Sequence, residues 1–248
     1  MKKLWRLLNV ESKDPYNNMA VDEALLTAVE RNIASNTIRF WRNPNAVVIG
    51  YSQSVEREVY LTTCKRHGAS IVRRFTGGGA VYQDYGNLNW SVFAVKEHLP
   101  FGKVNDVIRI FEVFGKPLVE GLKTLDIHAE FRLPNSIYVG NKKISGMAAY
   151  VKRKSVLCHG TLLVNTDLDM LANILKFMKA EVTTLRQELS KQVSITDVKS
   201  ALIKGFNMEL GINLKTGRLS KSERAIMKPL RKKYDRQKKE FCELLRSS

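Results

Sequence analysis

Cysteine is scarce: Cys64, Cys158 and Cys242 are the only three in 248 residues, an odd number without metal-ligand spacing. That suits a reducing compartment and argues against a disulfide framework. No run of about 18 apolar residues occurs, which excludes a membrane-spanning helix. The opening MKKLWRLLNVESKD has its apolar stretch broken at Arg6 and ended by Glu11, too short for a secretory signal, so a cytoplasmic protein without membrane partners is expected. Repeats and low-complexity tracts are missing. So are the G-x-x-x-x-G-K-[ST] phosphate loop and the G-x-G-x-x-G dinucleotide fingerprint. Acidic residues are few, 24 against 41 Lys and Arg, a net charge of +17 that favours an anionic partner. About half of this excess lies in Lys215–Ser248, with twelve basic and four acidic residues. Apolar residues reach 44%, which excludes disorder as the main state.

What is present reads as groups of strands with helices between some of them. Val21, Ala24, Leu25, Ala28 and Val29 form an apolar stripe that predicts a helix over Asn18–Asn32. Short strands are expected at Ile38–Trp41, Val47–Gly50, Ser70–Phe75, Ala80–Tyr82 and Leu88–Val95. A helix is expected over Val104–Leu125. A strand Ser136–Val139 then turns at Gly140-Asn141, where both residues tolerate positive φ, into a return strand from near Lys143. Strict alternation on that strand puts Lys143, Ser145 and Met147 on one face and Ile144, Gly146 and Ala148 on the other. A strand Val156–Val164 and a short helix Leu168–Met178 follow. The remainder reads as mostly helical, with capping-box patterns at Ser194-x-x-Asp197 and Ser220-x-x-Glu223, and with Pro229 expected to end or kink the last helix. The fold class is α+β (mixed α/β). A composition shift near Leu189–Lys191 divides a core, 1–190, from a basic helical segment, 191–248, within one domain.

Three segments carry chemistry. Arg73-Arg74-Phe75-Thr76-Gly77-Gly78-Gly79-Ala80-Val81-Tyr82-Gln83-Asp84 places three glycines after two arginines and a hydroxyl. Glycines let backbone N–H groups approach an anion closely, and arginines add charged donors. Lys143-Ile144-Ser145-Gly146 sets a lysine beside small residues, where it can neutralise developing negative charge; a solvated lysine pair is the plainer alternative. Cys158-His159-Gly160 invites a thiolate reading, but neighbours on a strand point to opposite faces, so a buried structural cysteine is favoured.

Taken in order, these segments resemble the lipoate–protein ligase A family. Asn18-Met19-Ala20-Val21-Asp22-Glu23 resembles its N-terminal helix motif. Phe40-Trp41-Arg42 and Val48-Ile49-Gly50 with Gln53 resemble its first strands. Arg73–Asp84 with Gly86-Asn87 resembles its signature loop, Lys143–Gly146 the block around its lysine, and His159–Asn165 its next strand. The similarity runs from about Trp5 to about Tyr234. It implies a class II synthetase-like biotin/lipoate ligase catalytic domain, a mixed sheet flanked by helices. It also implies a two-step reaction: lipoate and ATP give lipoyl-AMP, and the acyl group passes to a lysine of an acidic carrier, an E2 lipoyl domain or glycine cleavage H protein. On that resemblance Lys143 is catalytic. Arg74, Thr76, Gly77, Gly78, Gly79, Val81, Gln83, Asp84, Asn135, Ser145 and Gly146 bind ATP or lipoyl-AMP. Asn135 sits near the phosphates or Mg²⁺, and His159 and Gly160 border the lipoyl pocket.

Departures from the family pattern are Gln83 in place of a histidine, Ser136 where aspartate often contacts metal, and Tyr150 where some ligases have arginine. The chain ends at Ser248 without the accessory domain many ligases carry. It thereby resembles bipartite ligases that use a separate small subunit. The same fold serves octanoyltransferases, which use an acyl-cysteine and no ATP. Their cysteine positions hold Val156 or Glu130-Phe131 here; Cys158 is adjacent to neither, and only a shift of two residues from Val156 would make it the acyl-cysteine of that alternative. A biotin ligase lacks support because its GRGR-type loop is absent. A non-enzymatic nucleic-acid binder rests on charge alone and leaves the glycine loop unexplained.

Overall fold

The computed structural model describes residues 2–99, 106–178 and 180–247. Its strands are β1 (Lys3–Asn9), β2 (Thr37–Trp41), β3 (Asn45–Ile49), β4 (Ser70–Arg73), β5 (Val81–Asp84), β6 (Asn87–Val95), β7 (Ala129–Arg132), β8 (Ser136–Val139), β9 (Lys142–Val151), β10 (Ser155–Leu163) and β11 (Ile212–Thr216). The helices are α1 (Pro15–Glu30), α2 (Val55–Glu58), α3 (Leu61–His67), α4 (Val107–Lys123), α5 (Leu168–Ile174), α6 (Leu185–Leu189), α7 (Ile195–Glu209) and α8 (Lys221–Ser247). An eight-stranded mixed sheet runs β11-β1-β2-β6-β10-β9-β8-β7, and a small sheet runs β4-β3-β5. The α+β class therefore holds.

Local chemistry explains the element starts. Asp14 caps α1 by accepting from the Tyr16 amide at 2.9 Å, and Pro15 takes the first turn, so the helix begins three residues before the apolar stripe suggests. Asp106 caps α4 in the same way, and Val104, where the sequence places the helix start, lies outside the described residues. The expected helix over Leu168–Met178 stops at Ile174, because Leu175 bridges to Val59. Ser220 and Glu223 form the full reciprocal box, with bonds of 2.7 and 3.1 Å. Pro229 does not end α8, which continues to Ser247.

Three strands carry little signal in the sequence: β1, β7 and β11. The stretch expected to be mostly helical thus contains β11, which pairs in parallel with β1. The composition shift near residue 190 is no break in packing. Gly205 of α7 sits against the Pro117 carbonyl of α4, a contact that leaves no room for a Cβ. Tyr234 and Phe241 of α8 are buried in the main core, and Leu230 and Leu244 pack on it. Salt bridges Arg6–Glu223 and Lys233–Glu23 hold α8 to β1 and α1.

Helices cover both faces of the large sheet. Leu157 of β10 and Phe93 of β6 meet Val21, Leu25 and Val29 of α1, while Met147 of β9 lies toward Gly115 of α4. The cleft described next lies on the α1 face, between the large sheet and the small one.

Candidate active site

A cavity of about 580 Å³ separates the two sheets. Its floor includes Gly146 and Ala148 of β9 and His159 and Thr161 of β10; Gly78, Gly79 and β5 face them. Val48, Val81, Leu163, Leu171 and Leu175 give it apolar walls, and the exposed Phe177 and Met178 border it.

Lys143 reaches this cavity through a bulge. Tyr138 pairs with Lys143 but Ile137 pairs with Ser145, so Ile144 is an extra residue on β9. The expected alternation fails there: the Lys143 side chain lies over Gly146, where a Cβ would stand 3.1 Å from Nζ. Lys143 therefore shares the cleft face with Gly146, not with Met147. Ser145, opposite Ile137 in register, also borders the cleft, and its buried hydroxyl has no partner. The backbone of Lys143 is fixed by its N–H donating to Glu181 O at 2.8 Å and its carbonyl accepting from Thr183 N at 3.0 Å.

The glycine loop is braced from within. Arg74 donates to the Gly77 carbonyl (2.7 and 3.1 Å), the Gly79 carbonyl (2.8 Å) and the Val48 carbonyl (3.1 Å). Arg73 donates to the carbonyls of Gly50, Tyr51 and Gln53. Both arginines, read in the sequence as donors to an anion, thus clamp backbone. Arg74 still presents charge to the cavity: burial pulls its pKa down to about 10, so it stays protonated at neutral pH, and no carboxylate among the described residues pairs with it. Gly78 needs its positive φ of 92°. A Cβ on Gly50 would overlap the Gly78 carbonyl. Gly50→Ala is therefore expected to displace the loop and destabilise the protein by about 1–3 kcal/mol. A thermal melt checks this, and an unshifted Tm would show that the loop yields freely.

Of the residues singled out in the sequence, Arg74, Gly78, Gly79, Val81, Gln83, Asn135, Lys143, Ser145, Gly146, His159 and Gly160 border the cavity. Thr76, Gly77 and Asp84 do not line it. Asp84 instead closes the turn after β5, accepting from Gly86 N and Asp167 N at 2.9 Å each. Gly160 borders the cleft with its backbone, while the position of a Cβ is taken by the Trp90 ring and the Gly146 carbonyl. Gln83 is held in an amide chain: its Oε1 accepts from Asn43 (2.7 Å) and Asn89 (3.2 Å).

Asn135 does not by itself make a metal site. Its Nδ2 donates to Met147 O at 2.6 Å, and its Oδ1 has only the Ser136 hydroxyl near it, at 3.4 Å. Mg²⁺ is held by carboxylates and phosphates. Among the described residues no three His, Cys, Asp or Glu side chains cluster, so these donors do not fit a resident ion.

Behind His159 stands a buried network that the sequence gives little hint of. Arg39 and Asp22 form a fully buried ion pair at 2.5 Å. Asp22 Oδ2 accepts from Ser91 Oγ at 2.8 Å and lies 3.4 Å from His159 Nδ1; His159 Nε2 lies 2.8 Å from Thr76 Oγ1. Burial alone would raise the Asp22 pKa, but the Arg39 charge and the bonds from His159 and Ser91 outweigh it and hold the carboxyl below its ordinary value. The available signal was the alternation Asn87, Asn89, Ser91 on β6, which looks like a wet face and is buried.

Cys158 lies on the other face of β10, fully buried among core residues, and burial pushes its thiol well above the usual range. Cys64 is buried on α3 and Cys242 is exposed on α8. None of the three lines the cavity.

The eight-stranded mixed sheet flanked by helices, with an apolar-walled cleft on one face, has the class II synthetase-like fold. The sequence profile of the lipoyl protein ligase A/B catalytic domain matches residues 14–207, and the chain belongs to that family. A bipartite lipoate protein ligase of Thermoplasma acidophilum, solved in a study of that ligase and its E2 lipoyl domain, superposes with a TM-score of 0.84 at 31% identity, covering 94% of each chain. A crystal structure of lipoate-protein ligase A bound with ATP gives a TM-score of 0.85 at 32% identity over 95% of this chain and 96% of that one. The octanoyltransferase LipM of Geobacillus kaustophilus is 30% identical over 271 residues, 94% of this chain and 96% of its own. No helix among the described residues is long and apolar enough to cross a membrane.

Proposed function

We propose that this chain is the catalytic subunit of an ATP-dependent lipoate–protein ligase. In the first step a lipoate carboxylate oxygen attacks the α-phosphorus of ATP, pyrophosphate leaves, and lipoyl-AMP forms. In the second, a carrier lysine amine attacks the acyl carbon and AMP leaves. Lys143 lies beside the reacting acyl and phosphate oxygens and offsets their growing charge. Arg74 adds a fixed cation while holding the Gly77–Gly79 backbone open to the nucleotide. The apolar walls around Val81 and Leu171 suit the dithiolane chain. Mg²⁺ enters this reading only with the phosphates of the nucleotide.

One observation carries the choice between ligase and transferase: a cleft that brings Lys143 to the triglycine loop and holds no cysteine. With no cysteine lining the cleft, the acyl-cysteine route has no nucleophile there, which supports adenylation as the source of the leaving group. ATP bound to a relative 32% identical supports the same choice. The carrier is a lipoyl domain, as with the Thermoplasma ligase, and glycine cleavage H protein is a second candidate. Residues 191–248 belong to the catalytic unit, supported by β11 in the large sheet and α7 on α4. A separate small subunit provides any accessory function. The basic outer face of α8, with Lys221, Lys228, Lys232 and Lys239 at helical spacing, suits an acidic partner.

The test is an adenylation assay with purified protein, lipoate and ATP, with and without a small subunit. Lipoyl-AMP is expected, and Cys158→Ser is expected to leave its rate within about twofold, since the thiol faces the core. ATP-independent transfer from octanoyl-carrier, with a cysteine thioester seen by mass spectrometry, would replace the ligase by a transferase.

A further inference from the structure

We propose that Asp22 and His159 form a positioning relay that fixes Thr76 and, through it, the triglycine loop. His159 stands on β10 of the large sheet, and Thr76 opens the loop after β4 of the small sheet. Their contact, 2.8 Å between Nε2 and Oγ1, bridges the two sheets beside the cleft. The proton positions follow from the partners. Asp22 is ionised and can only accept, so the nearer ring nitrogen, Nδ1, carries the hydrogen toward it. In the tautomer with that one ring hydrogen, Nε2 is the acceptor and the Thr76 hydroxyl donates to it.

Each member is held tightly. Asp22 is fully buried and cannot turn, because Arg39 holds Oδ1 at 2.5 Å and Ser91 bonds Oδ2 at 2.8 Å. Arg39 is itself anchored by the carbonyls of Val10 and Asn18 and by Asn18 Oδ1. Ser91 Oγ accepts from Trp41 Nε1 at 3.0 Å. A rigid chain thus runs from α1 and β2 through β6 to the imidazole. Thr76 is fully buried and does not line the cavity, so it does not touch ligand; it acts through the loop. Its own carbonyl accepts from Tyr51 N at 2.9 Å, which ties the same residue to the segment after β3. With Arg74 holding the carbonyls of Gly77 and Gly79, the relay supplies the remaining anchor at the head of the loop. Preorganised backbone donors need no rearrangement as charge develops, so a loosened anchor appears in turnover more than in affinity.

The activity arm of the test rests on the ligase reading; the spectroscopic arm does not. Nitrogen NMR of the imidazoles, with His159 assigned by its loss in His159→Gln, is expected to show the tautomer with its hydrogen on Nδ1. In Asp22→Asn the ring is expected to shift toward the Nε2–H form. A wild-type ring protonated on Nε2, or one indifferent to Asp22→Asn, overturns the relay. If Asp22→Asn fails to fold, the wild-type spectrum and Thr76 variants decide. Thr76→Val is expected to lower kcat for adenylation about tenfold, the worth of one buried hydrogen bond, with KM within about twofold. Thr76→Ser restores kcat. A Thr76→Val protein with wild-type kcat, or a loss that Thr76→Ser does not rescue, also overturns it. Should the wild-type protein form no acyl-adenylate, the ligase reading fails while the ring tautomer still decides the relay.

Discussion

Lys143→Ala lowers lipoyl-AMP formation by about 10²–10³-fold, the range seen when one group stabilising a developing charge is removed. The fold is expected to survive, because the backbone bonds from this residue to Glu181 and Thr183 remain in the variant. The side chain rests on Gly146, in a space available only because that residue lacks a Cβ. Lys143→Arg is therefore not expected to rescue: a planar guanidinium is wider than an ammonium and meets the strand at the same place. Circular dichroism and a melt should match the wild type while the adenylation rate falls. A Lys143→Ala protein that still forms lipoyl-AMP at more than a tenth of the normal rate removes this side chain from the chemistry.

Arg39→Met has the largest expected effect on stability. It leaves the Asp22 carboxylate fully buried without its cation, a change that costs about 3–5 kcal/mol. For a chain of this size that is a fall in Tm of roughly 6–20 °C. The pH dependence has a definite sign. In the wild type the Asp22 pKa is depressed, so its contribution is present above the unfolded carboxylate value and is lost as pH falls through the folded value. In Arg39→Met the charge is stranded and the pKa rises. The deficit is then greatest near neutral pH and narrows on acidification, once Asp22 takes up a proton. Melts of both proteins between about pH 7 and 4 check this, starting from an unfolded carboxylate near 3.9. A deficit that widens toward acid would mean that the pair is not what holds Asp22 ionised.

Local features were legible in the sequence and non-local ones were not. The turn at Gly140-Asn141, the lysine block and the triglycine loop are each set by a few adjacent residues, and the cleft brings Lys143 and the loop together. The bulge at Ile144 was hidden, because register depends on the facing strand and not on the strand's own pattern. The arginines before the loop were read as anion donors by chemistry alone, while the geometry commits them to nearby carbonyls. Nothing adjacent to Asp22 or Arg39 in the sequence marks them as partners. Only their mutual burial shows the pair, and their partnership spans 17 residues. β11 escaped because five residues with two apolar positions signal little until β1 is found beside them.

That last pairing bears on synthesis. β1 leaves the ribosome first and finds β2 about thirty residues later, but its other neighbour, β11, is made some two hundred residues after it. Throughout translation the nascent chain therefore carries a raw β-edge of seven residues, Lys3–Asn9, open to unwanted strand partners. Its two basic side chains, Lys3 and Arg6, are the kind of charge that discourages such encounters until β11 arrives to cover the edge.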